Sequence, residues 1–464
     1  MKFTEGYARL FQYLLPTPFT IALLLTVLTF FLALFFTPEA GTDLGSYSLD
    51  LLAAWEDGLW NNGLMVFAMQ MMLMLVLGHV LALSKPVDRF ISMMLGRIRS
   101  NGEAAMWVCL LTMLVAFFNW GLGLIFGAIF ARKVAERAEK TGLSINYPLI
   151  GAAGYIGLMV WHGGLSGSSL AKVAEKGHLK DLMSGIYSSE QLGNLPEQLS
   201  FAETAFSNMN LYSCLMLLLL MPALFYWLGK QKPLQKFKLP EAQISSKEEE
   251  DSEVVGAERL DRSKVFAFAM GAVILFYAVY KSGSNEGSSL GFITPNFINF
   301  MLLGLAILFH GNFSSFLKAV DEAIGGAAGI LIQFPLYFGI MGIMKGSGMV
   351  EMLSGFFVNI SNETTFPIFT LFSAGLVNIF VPSGGGQWAV QGPIIVQASE
   401  SLGLPLWKGV MALAYGDQLT NMLQPFWALP LLGITGLKAK EILPYTLIAM
   451  LVGFTIYLSA LLFF

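Results

Sequence analysis

The chain has 464 residues, of which 55% are hydrophobic and only 12% are charged. Soluble proteins carry roughly 25% charged residues, and here the charges lie between long apolar runs, so the composition indicates an integral membrane protein. The formal net charge of −4 gives no support for nucleic-acid binding, because the basic residues lie in loops. The two cysteines, Cys109 and Cys214, fall in apolar runs and predict neither a disulfide framework nor a metal cluster.

A membrane-spanning helix needs about 20 mainly apolar residues. The stretches that meet this requirement are 18–37, 63–84, 147–170, 210–228, 264–280, 292–310, 324–344, 407–437 and 442–464. Two further runs, 104–131 and 366–398, are apolar but are interrupted in their middles by glycine and polar residues.

The charge of the loops predicts the topology. Loop 38–62 contains acidic residues and no Lys or Arg, whereas loop 85–103 and the loop after residue 131 are basic. Cytoplasmic loops carry an excess of Lys and Arg, so loop 38–62 is predicted to be external and both flanks of run 104–131 to be cytoplasmic. We therefore expect 104–131 to be a re-entrant hairpin that turns near Asn119. By the same reasoning 366–398 is a second hairpin, which enters from outside.

The two halves of the chain resemble each other in order and spacing. Tyr155 follows Asn119 by 36 residues, and Tyr415 follows Asn378 by 37. Each Asn opens a Gly-rich hairpin tip, and each Tyr lies in a small-residue helix that soon breaks. Each half is therefore helix, helix, hairpin, broken helix, helix, and the extra helix 264–280 inverts the second half. Inverted repeats with discontinuous helices are typical of secondary transporters.

The resulting fold prediction is an all-α polytopic membrane protein with about nine crossings plus two hairpins, the N-terminus inside and the C-terminus outside. It divides the chain into a first membrane repeat (1–228), a cytoplasmic linker (229–263), a linking helix (264–291) and a second, inverted membrane repeat (292–464). The acidic, Ser-rich stretch 241–262 is expected to be solvated.

Two polar stretches lie where a membrane protein should be apolar. One runs from Asn378 to Trp388 and contains Ser-Gly-Gly-Gly, and the other runs from Tyr415 to Pro425 and contains Gly-Asp-Gln. Backbone that leaves the helix inside a bilayer survives only where protein or a water-filled cavity covers it. Two such breaks therefore predict the position of a transporter's substrate site.

Several segments carry a family resemblance: Phe118–Leu124, Tyr155–Gly157, Gly163–Ser168, Gln333–Pro335, Val381–Gly386 with Trp388, Gln391–Pro393 and Asn421–Pro430. Along nearly its whole length the chain resembles the short-chain fatty acid transporters of the AtoE type, within a wider group of ion-coupled carboxylate carriers. The resemblance implies uptake of a small monocarboxylate such as acetate or butyrate by cation symport, through an elevator-like movement. It also implies a homodimer in the bacterial inner membrane, which the lack of a cleavable signal pattern supports.

The candidate substrate-binding residues lie at the hairpin tips and at the first helix break: Asn119, Trp120, Gly121, Ser166, Ser168, Asn378, Ser383, Gly384, Gly385, Gly386, Gln387 and Trp388. The predicted core contains no Lys or Arg, so free N–H groups at helix N-termini are expected to hold the carboxylate. The aromatic residues expected to hold the alkyl tail are Trp120, Trp388, Phe426 and Trp427. Asn119 and Asn378 could equally bond the hairpin backbone, and Gly384–Gly386 could also serve the tight turn.

Asp417 is the only carboxylate well inside a predicted span, where an ionisable residue is costly and indicates function. It could ligate Na⁺ together with carbonyls at the break, carry a proton, or cap the second half-helix. The other candidate coupling residues are Thr420, Asn421 and His162. No cofactor is expected beyond a possible Na⁺ coupling ion.

Other function classes fit the sequence less well. A passive channel favours a continuous polar pore, whereas the polar residues here cluster at two breaks. A Na⁺/H⁺ or anion antiporter on a related scaffold is the main alternative, although a Na⁺/H⁺ antiporter would need several buried acids. The sequence has no H-E-x-x-H, G-x-S-x-G or paired-acid motif, which argues against an enzyme. It has no G-x-x-x-x-G-K-[ST] either, so transport is expected to use an ion gradient.

Overall fold

The computed structural model describes residues 16–38, 43–230, 239, 256–283, 290, 292–381 and 383–464. The described residues form helices and no β-strand, which confirms the all-α class. The helices are α1 Pro18–Phe36, α2 Leu44–Leu59, α3 Asn62–Ala82, α4 Lys85–Leu95, α5 Asn101–Phe118, α6 Trp120–Thr141, α7 Tyr147–Tyr155, α8 Ser168–Val173, α9 His178–Met183, α10 Ser189–Asn194, α11 Asn208–Gly229, α12 Glu258–Asp261, α13 Lys264–Gly283, α14 Pro295–His310, α15 Phe313–Ala323, α16 Ala328–Gly346, α17 Met349–Ile360, α18 Thr365–Phe380, α19 Gly384–Ser401, α20 Leu406–Thr420, α21 Pro425–Thr435 and α22 Ala439–Phe463.

The described part of the chain contains seven helical segments that are long and apolar enough to cross a membrane: Phe19–Phe36, Asn62–Ala82, Asn101–Phe118, Asn208–Gly229, Lys264–Gly283, Phe313–Gly346 and Ala439–Phe463. Shorter apolar helices accompany them. The number of crossings, the re-entrance of the hairpins and the inverted repeat stay predictions. Most of the predicted linker 229–263 lies outside the described residues.

The run 104–131 folds as two helices that meet at one residue. Asn119 has extended backbone (φ −149°, ψ 124°), ends α5 and begins α6. Its Oδ1 accepts a hydrogen bond from the N–H of Leu122 at 2.7 Å, which caps α6. The interruption lies where the sequence predicts the turn. α5 and α6 then pack along each other.

The run 366–398 is also interrupted at its middle. α18 ends at Phe380, and α19 begins at Gly384 with Ser383 as its N-cap. The Oγ of Ser383 accepts a hydrogen bond from the N–H of Gly386 at 3.1 Å. α18 packs mainly against α20 rather than against α19.

Two broken helices face each other in the core. The first is α7, which continues as a 3-10 turn (Ile156–Met159) and then loses helical structure before α8. The second is the pair α20 and α21, separated by the 3-10 turn Asn421–Leu423. Predicted segments 147–170 and 407–437 are therefore both broken, as the sequence analysis expects.

Each break supplies partners for the backbone of the other. Tyr155 lies at the end of α7, and its hydroxyl contacts the carbonyls of Asn421 (2.9 Å) and Gln424 (3.2 Å). In return, the Oε1 of Gln418 on α20 accepts hydrogen bonds from the backbone N–H groups of His162 (3.0 Å) and Gly163 (3.2 Å). Protein groups therefore satisfy backbone that lipid could not.

Parts of the predicted loops are helical. Within loop 38–62, residues 44–59 form α2, whose residues Leu51, Gly58 and Leu59 are buried while its acidic side chains are exposed. α2 packs closely against α16, and a Cβ added at Gly58 would lie 2.6 Å from the carbonyl oxygen of Phe338. Two short amphipathic helices, α4 and α15, likewise occupy segments predicted to be loops.

Candidate functional site

A cleft with an empty volume of about 490 Å³ lies where the two interruptions meet the first helix break. We call it the central cleft, and its lining residues are Met71, Trp120, Trp161, Ser168, Gly326, Gly329, Ile330, Gln333, Phe334, Ser383, Gly384, Gly385 and Trp427. The lining is mainly apolar and aromatic, with a few polar groups. Such a surface suits a small ligand with an apolar body and one polar end.

The central cleft brings together some of the predicted substrate residues. Trp120 lies at the first turn of α6, and Ser168 at the start of α8. Ser383, Gly384 and Gly385 lie at the start of α19. These segments are far apart in the chain, so the cleft forms only when the interruptions pack together.

The remaining predicted asparagine, serine and glycine residues support the backbone around the cleft. Asn119 caps α6, and its Nδ2 also donates to the carbonyl of Met74 (3.3 Å). The Oγ of Ser166 accepts a hydrogen bond from the N–H of Trp120 at 2.8 Å. Gly121 packs closely on the backbone of Leu75. These contacts fix the position of the α6 N-terminus.

The same holds on α19. Gly386 packs against the ring of Tyr337, where a Cβ would have no room. Gln387 donates to the carbonyl of Ala374 (2.8 Å). Trp388 is fully buried, and its Nε1 donates to the Nε2 of His178 at 2.9 Å. Trp388 therefore does not line the central cleft, where it was expected to hold an alkyl tail.

Two indole N–H groups of the central cleft have no hydrogen-bond partner among the described residues: those of Trp120 and Trp161. Both side chains are about 95% buried, with exposures of 5% and 4%. A buried donor without a partner costs free energy, of the order of 1–3 kcal/mol. Trp161 is absent from the residues that the sequence singles out, although it directly precedes His162 at the helix break.

Aromatic rings form one wall of the cleft. The ring centroids of Trp120 and Trp161 are 5.8 Å apart. Trp427 packs edge-on against Trp120 with a centroid distance of 5.3 Å. Trp427 thus lies where the sequence analysis expects tail contacts, whereas the side chain of Phe426 lies outside the described part of the structure.

A buried His–Asp pair lies directly behind the cleft. The Nδ1 of His162 is 2.5 Å from the Oδ2 of Asp417, and both side chains are almost completely buried. The two atoms do not meet at hydrogen-bond angles, and the Oδ1 of Asp417 has no hydrogen-bond partner in the described structure. A Cβ added at Gly384 would lie 2.8 Å from both the carboxylate and the imidazole. The pair therefore contacts the same glycine that lines the central cleft.

The hydrogen bonds of His162 indicate its tautomer. The backbone N–H of Ser169 donates to its Nε2 at 3.2 Å, so this nitrogen carries a lone pair. A neutral ring then has its proton on Nδ1, next to Asp417. The N–H of this ring would then lie beside the carboxylate, with both side chains almost completely buried.

The other predicted coupling residues surround the backbone of Asp417. The Nδ2 of Asn378 contacts the Asp417 carbonyl (2.8 Å), the Thr420 hydroxyl (2.9 Å) and the Oδ1 of Asn421 (2.9 Å). The Oδ1 of Asn378 has no hydrogen-bond partner within the described chain. Asn378 thus joins α18 to the second helix break. It lies among the predicted coupling residues Asp417, Thr420 and Asn421 and does not line the central cleft.

One prediction about charge is wrong. The core was expected to contain no Lys or Arg, yet Lys172 on α8 is only 5% exposed. Its ammonium group pairs with Glu175 and lies 5.5 Å from the centre of the Phe67 ring. The sequence analysis ended this span at residue 170 and so placed Lys172 outside. The helix break returns α8 to the core, which residue spacing alone does not show.

Two solved structures have a similar fold. The YdaH transporter of Alcanivorax borkumensis aligns with a TM-score of 0.61 at 14% sequence identity, covering 96% of this chain and 98% of that chain. MtrF of Neisseria gonorrhoeae, whose structure is described with a class of antimetabolite efflux pumps, aligns with a TM-score of 0.59 at 14% identity over 98% and 97%. The spanning helices and these two likenesses define the fold class, that of a multi-pass helical membrane protein.

Sequence comparison gives the family. The family model for short chain fatty acid transporters matches residues 2–464. Two relatives carry the name "Putative short-chain fatty acid transporter". The one from Escherichia coli (strain K12) is 36% identical over 457 residues, 97% of this chain and 96% of the relative. The one from Haemophilus influenzae is 35% identical over 458 residues, again 97% and 96%. The chain belongs to the short-chain fatty acid transporter family and is not an enzyme.

Proposed function

We propose that this protein takes up short-chain fatty acids, small monocarboxylates such as acetate and butyrate, by cation symport across the bacterial inner membrane. Family membership supports the substrate class. The observation that carries the proposal is the central cleft, whose mainly apolar and aromatic lining includes two tryptophans with buried indole N–H groups that have no hydrogen-bond partner in the described part of the chain. That combination fits an anion with one carboxylate and a short alkyl tail.

The carboxylate would bind at the N-terminus of α19. This helix has 18 residues, and its first turn begins at Gly384 beside the cleft. Free N–H groups and the helix dipole favour an anion at such an end. The N–H groups of Trp120 and Trp161 would add two donors, and hydrogen bonds to a charged group are worth about 1.5–3 kcal/mol each.

The alkyl tail would lie against the apolar lining, which includes Ile330, Phe334 and Trp427. Each buried CH₂ contributes about 0.8 kcal/mol, which is roughly fourfold in affinity. Selectivity over chain length should therefore change gradually over a few carbons, until the cleft is full.

Asp417 would couple the cation to the substrate. Its carboxylate contacts Gly384 at the proposed carboxylate site. Two negative charges that share a dry site repel each other strongly. A proton on Asp417, or a Na⁺ ion bound to it, removes this repulsion, so substrate and cation would each raise the other's affinity. His162 would hold the carboxylate in place or share the proton, and the Oδ1 of Asn378 would offer a further ligand to Na⁺.

The proposal also includes a homodimer and an elevator-like movement, because the resemblance to the wider group of carboxylate carriers implies both.

The test is uptake of labelled butyrate into proteoliposomes under an inward Na⁺ gradient or an inward H⁺ gradient, applied separately. Empty liposomes are essential, because the neutral acid crosses lipid unaided. Asp417→Asn should abolish gradient-driven uptake, whereas Asp50→Asn, which changes an exposed acid on α2, should leave it unchanged. Stimulation by Na⁺ alone would assign Na⁺ as the coupling ion. Wild-type protein that takes up no more butyrate than empty liposomes would refute the proposal.

A further inference from the structure

A second cleft lies next to the central cleft and differs from it in character. Its empty volume is about 450 Å³, and its lining is predominantly polar. The charged and titratable residues that line it are Lys172, Lys176, His178 and Lys345, with Glu175 and Asp181. We call this second cleft, with its whole lining, the lysine cleft.

The charged residues that line the lysine cleft are three lysines and two carboxylates, so their net charge is positive by one. Lys172 pairs with Glu175. Lys345 donates to the carbonyl of Ser184 at 2.9 Å and lies within the field of Asp181. Lys176 is exposed at the edge of the cleft and forms no ion pair within 4.0 Å in the described chain; the carboxylate of Glu197, which pairs with Lys180, lies within its field. An anion that enters the cleft therefore meets a net positive field.

His178 adds a neutral donor to the cleft. Burial, together with the ammonium groups of Lys172 and Lys345, holds the pKa of its imidazole well below the usual range. Because the Nε2 accepts a hydrogen bond from Trp388, the proton of the neutral ring lies on Nδ1. This N–H can donate to an oxygen acceptor, and it cannot accept from one.

Two protein elements connect the lysine cleft to the central cleft. On α8, Ser168 lines one cleft and Lys172, one helical turn later, lines the other. The ring of Phe67 lies between them: Lys172 is 5.5 Å from its centre, and a Cβ at Gly385 would lie 2.9 Å from its Cζ. One phenyl ring thus separates the buried ammonium group from the N-terminus of α19.

The topology predicted from the sequence puts the whole lysine cleft on one side of the membrane. Its residues come from the end of loop 38–62, from the segment after residue 170 and from the end of span 324–344. The loop charges predict all three positions to be external. The cleft therefore opens where an imported substrate would arrive.

We propose that the lysine cleft is an external capture site for the carboxylate of the substrate, and that the captured acid passes Phe67 to reach the central cleft. The inference rests on the proposed function. Lys176 attracts the anion, and Lys172 exchanges Glu175 for the incoming carboxylate. Nδ1–H of His178 holds the second oxygen. The alkyl tail then points toward Phe67, and rotation of this ring opens the way to Gly385.

The test compares two single substitutions that should shift the KM for butyrate in opposite directions. Lys176→Gln should raise the KM for butyrate about three- to tenfold with an unchanged maximal rate, because it removes the attracting charge. Glu175→Gln should lower the KM, because Lys172 loses its competing partner. The new amide can still accept the hydrogen bond that Gln70 donates to Glu175 at 2.6 Å. Lys281→Gln is the matched control, since Lys281 is an exposed lysine in the last turn of α13 and does not line the cleft.

Initial rates of labelled butyrate uptake in proteoliposomes, at low salt and at about 0.5 M salt, measure these effects. High salt should remove most of the difference between Lys176→Gln and wild type, because the Debye length falls to a few ångströms. Opposite KM shifts for the two variants, with the KM of Lys281→Gln unchanged, would support the capture site. Normal wild-type uptake with unaltered KM in both variants would overturn the capture site alone. Absence of wild-type uptake would overturn the proposed function and the capture site with it.

Discussion

Gly384 lines the central cleft and also packs directly against the His162–Asp417 pair. A Cβ added there would lie 2.8 Å from the Oδ2 of Asp417, from the Cε1 of His162 and from the ring of Trp161. Ordinary van der Waals contact begins near 3.4 Å, so Gly384→Ala must displace these groups by about 0.6 Å. Gly384 does not have a positive φ, so the substitution causes no backbone strain.

The expected magnitude follows from this displacement. Overpacking a well-packed site costs about 1–3 kcal/mol. A misplacement of about 1 Å can lower the rate of a positioned reaction about a hundredfold, so we expect Gly384→Ala to reduce butyrate uptake at least tenfold. The reduction should be present under either ion gradient, because the added methyl group disturbs the carboxylate site and the coupling pair together.

The assay is initial uptake of labelled butyrate in proteoliposomes, with thermal unfolding of the purified protein measured in parallel. Gly433→Ala is the matched control, because Gly433 also lies in an apolar helix and a Cβ there would meet no atom within 4 Å. It should leave uptake unchanged and stabilise the helix slightly. Uptake by Gly384→Ala within twofold of wild type, with normal folding, would refute the placement of the substrate and the coupling pair at this glycine.

Four further predictions address the cleft, the broken helices and the topology. Trp161→Phe should raise the KM for butyrate roughly tenfold or more, through loss of one hydrogen bond to a charged group, and titration of uptake rate against substrate measures it. Tyr155→Phe should lower the free energy of unfolding by about 0.5–2 kcal/mol, seen as a lower unfolding midpoint, because the carbonyls of Asn421 and Gln424 at the break each lose one hydrogen-bond donor. Competition by unlabelled C2–C6 acids should change about fourfold per carbon up to the steric limit. An impermeant thiol reagent added to intact cells should label Lys176→Cys and not Lys440→Cys, as the predicted external and cytoplasmic positions require.

For each of these four predictions, one result would contradict the reasoning. An unchanged KM for Trp161→Phe would remove its indole N–H from substrate binding. Normal stability of Tyr155→Phe would mean that other groups replace the hydroxyl. A sharp cut-off between neighbouring chain lengths would contradict a graded apolar lining, and the reverse labelling pattern would invert the topology.

Several features of the fold could be predicted from the sequence because they depend on local composition. Apolar runs of about 20 residues specify membrane helices, and Asn119 and Ser383 mark interruptions because such side chains cap helices. The break between Tyr415 and Pro425 is visible as a polar stretch in an apolar run, although the helix continues through Gly-Asp-Gln and ends at Thr420. The helix α2 was missed, because its acidic exposed face resembles a loop, and only its packing against α16 buries the other face.

The candidate site could be predicted only in part. The residues at the helix starts, such as Ser383 and Gly384, follow from the Gly-rich motif. Trp161 and Lys172 could not be predicted as site residues, because neither belongs to a recognisable motif. Both are buried near the cleft only because the chain returns to the core after the first helix break. Trp388 shows the converse: it belongs to a conspicuous motif, yet packing turns its indole toward His178.

The sequence by itself determined the class of protein, the family and the chain positions at which the helices break, because hydropathy, capping and motif identity are properties of neighbouring residues. Only the tertiary structure decided that His162 meets Asp417 beside Gly384, and that a buried lysine stands one aromatic ring away from the central cleft. The contact between His162 and Asp417 joins the two halves of the chain, and the distances in both places depend on how whole helices pack.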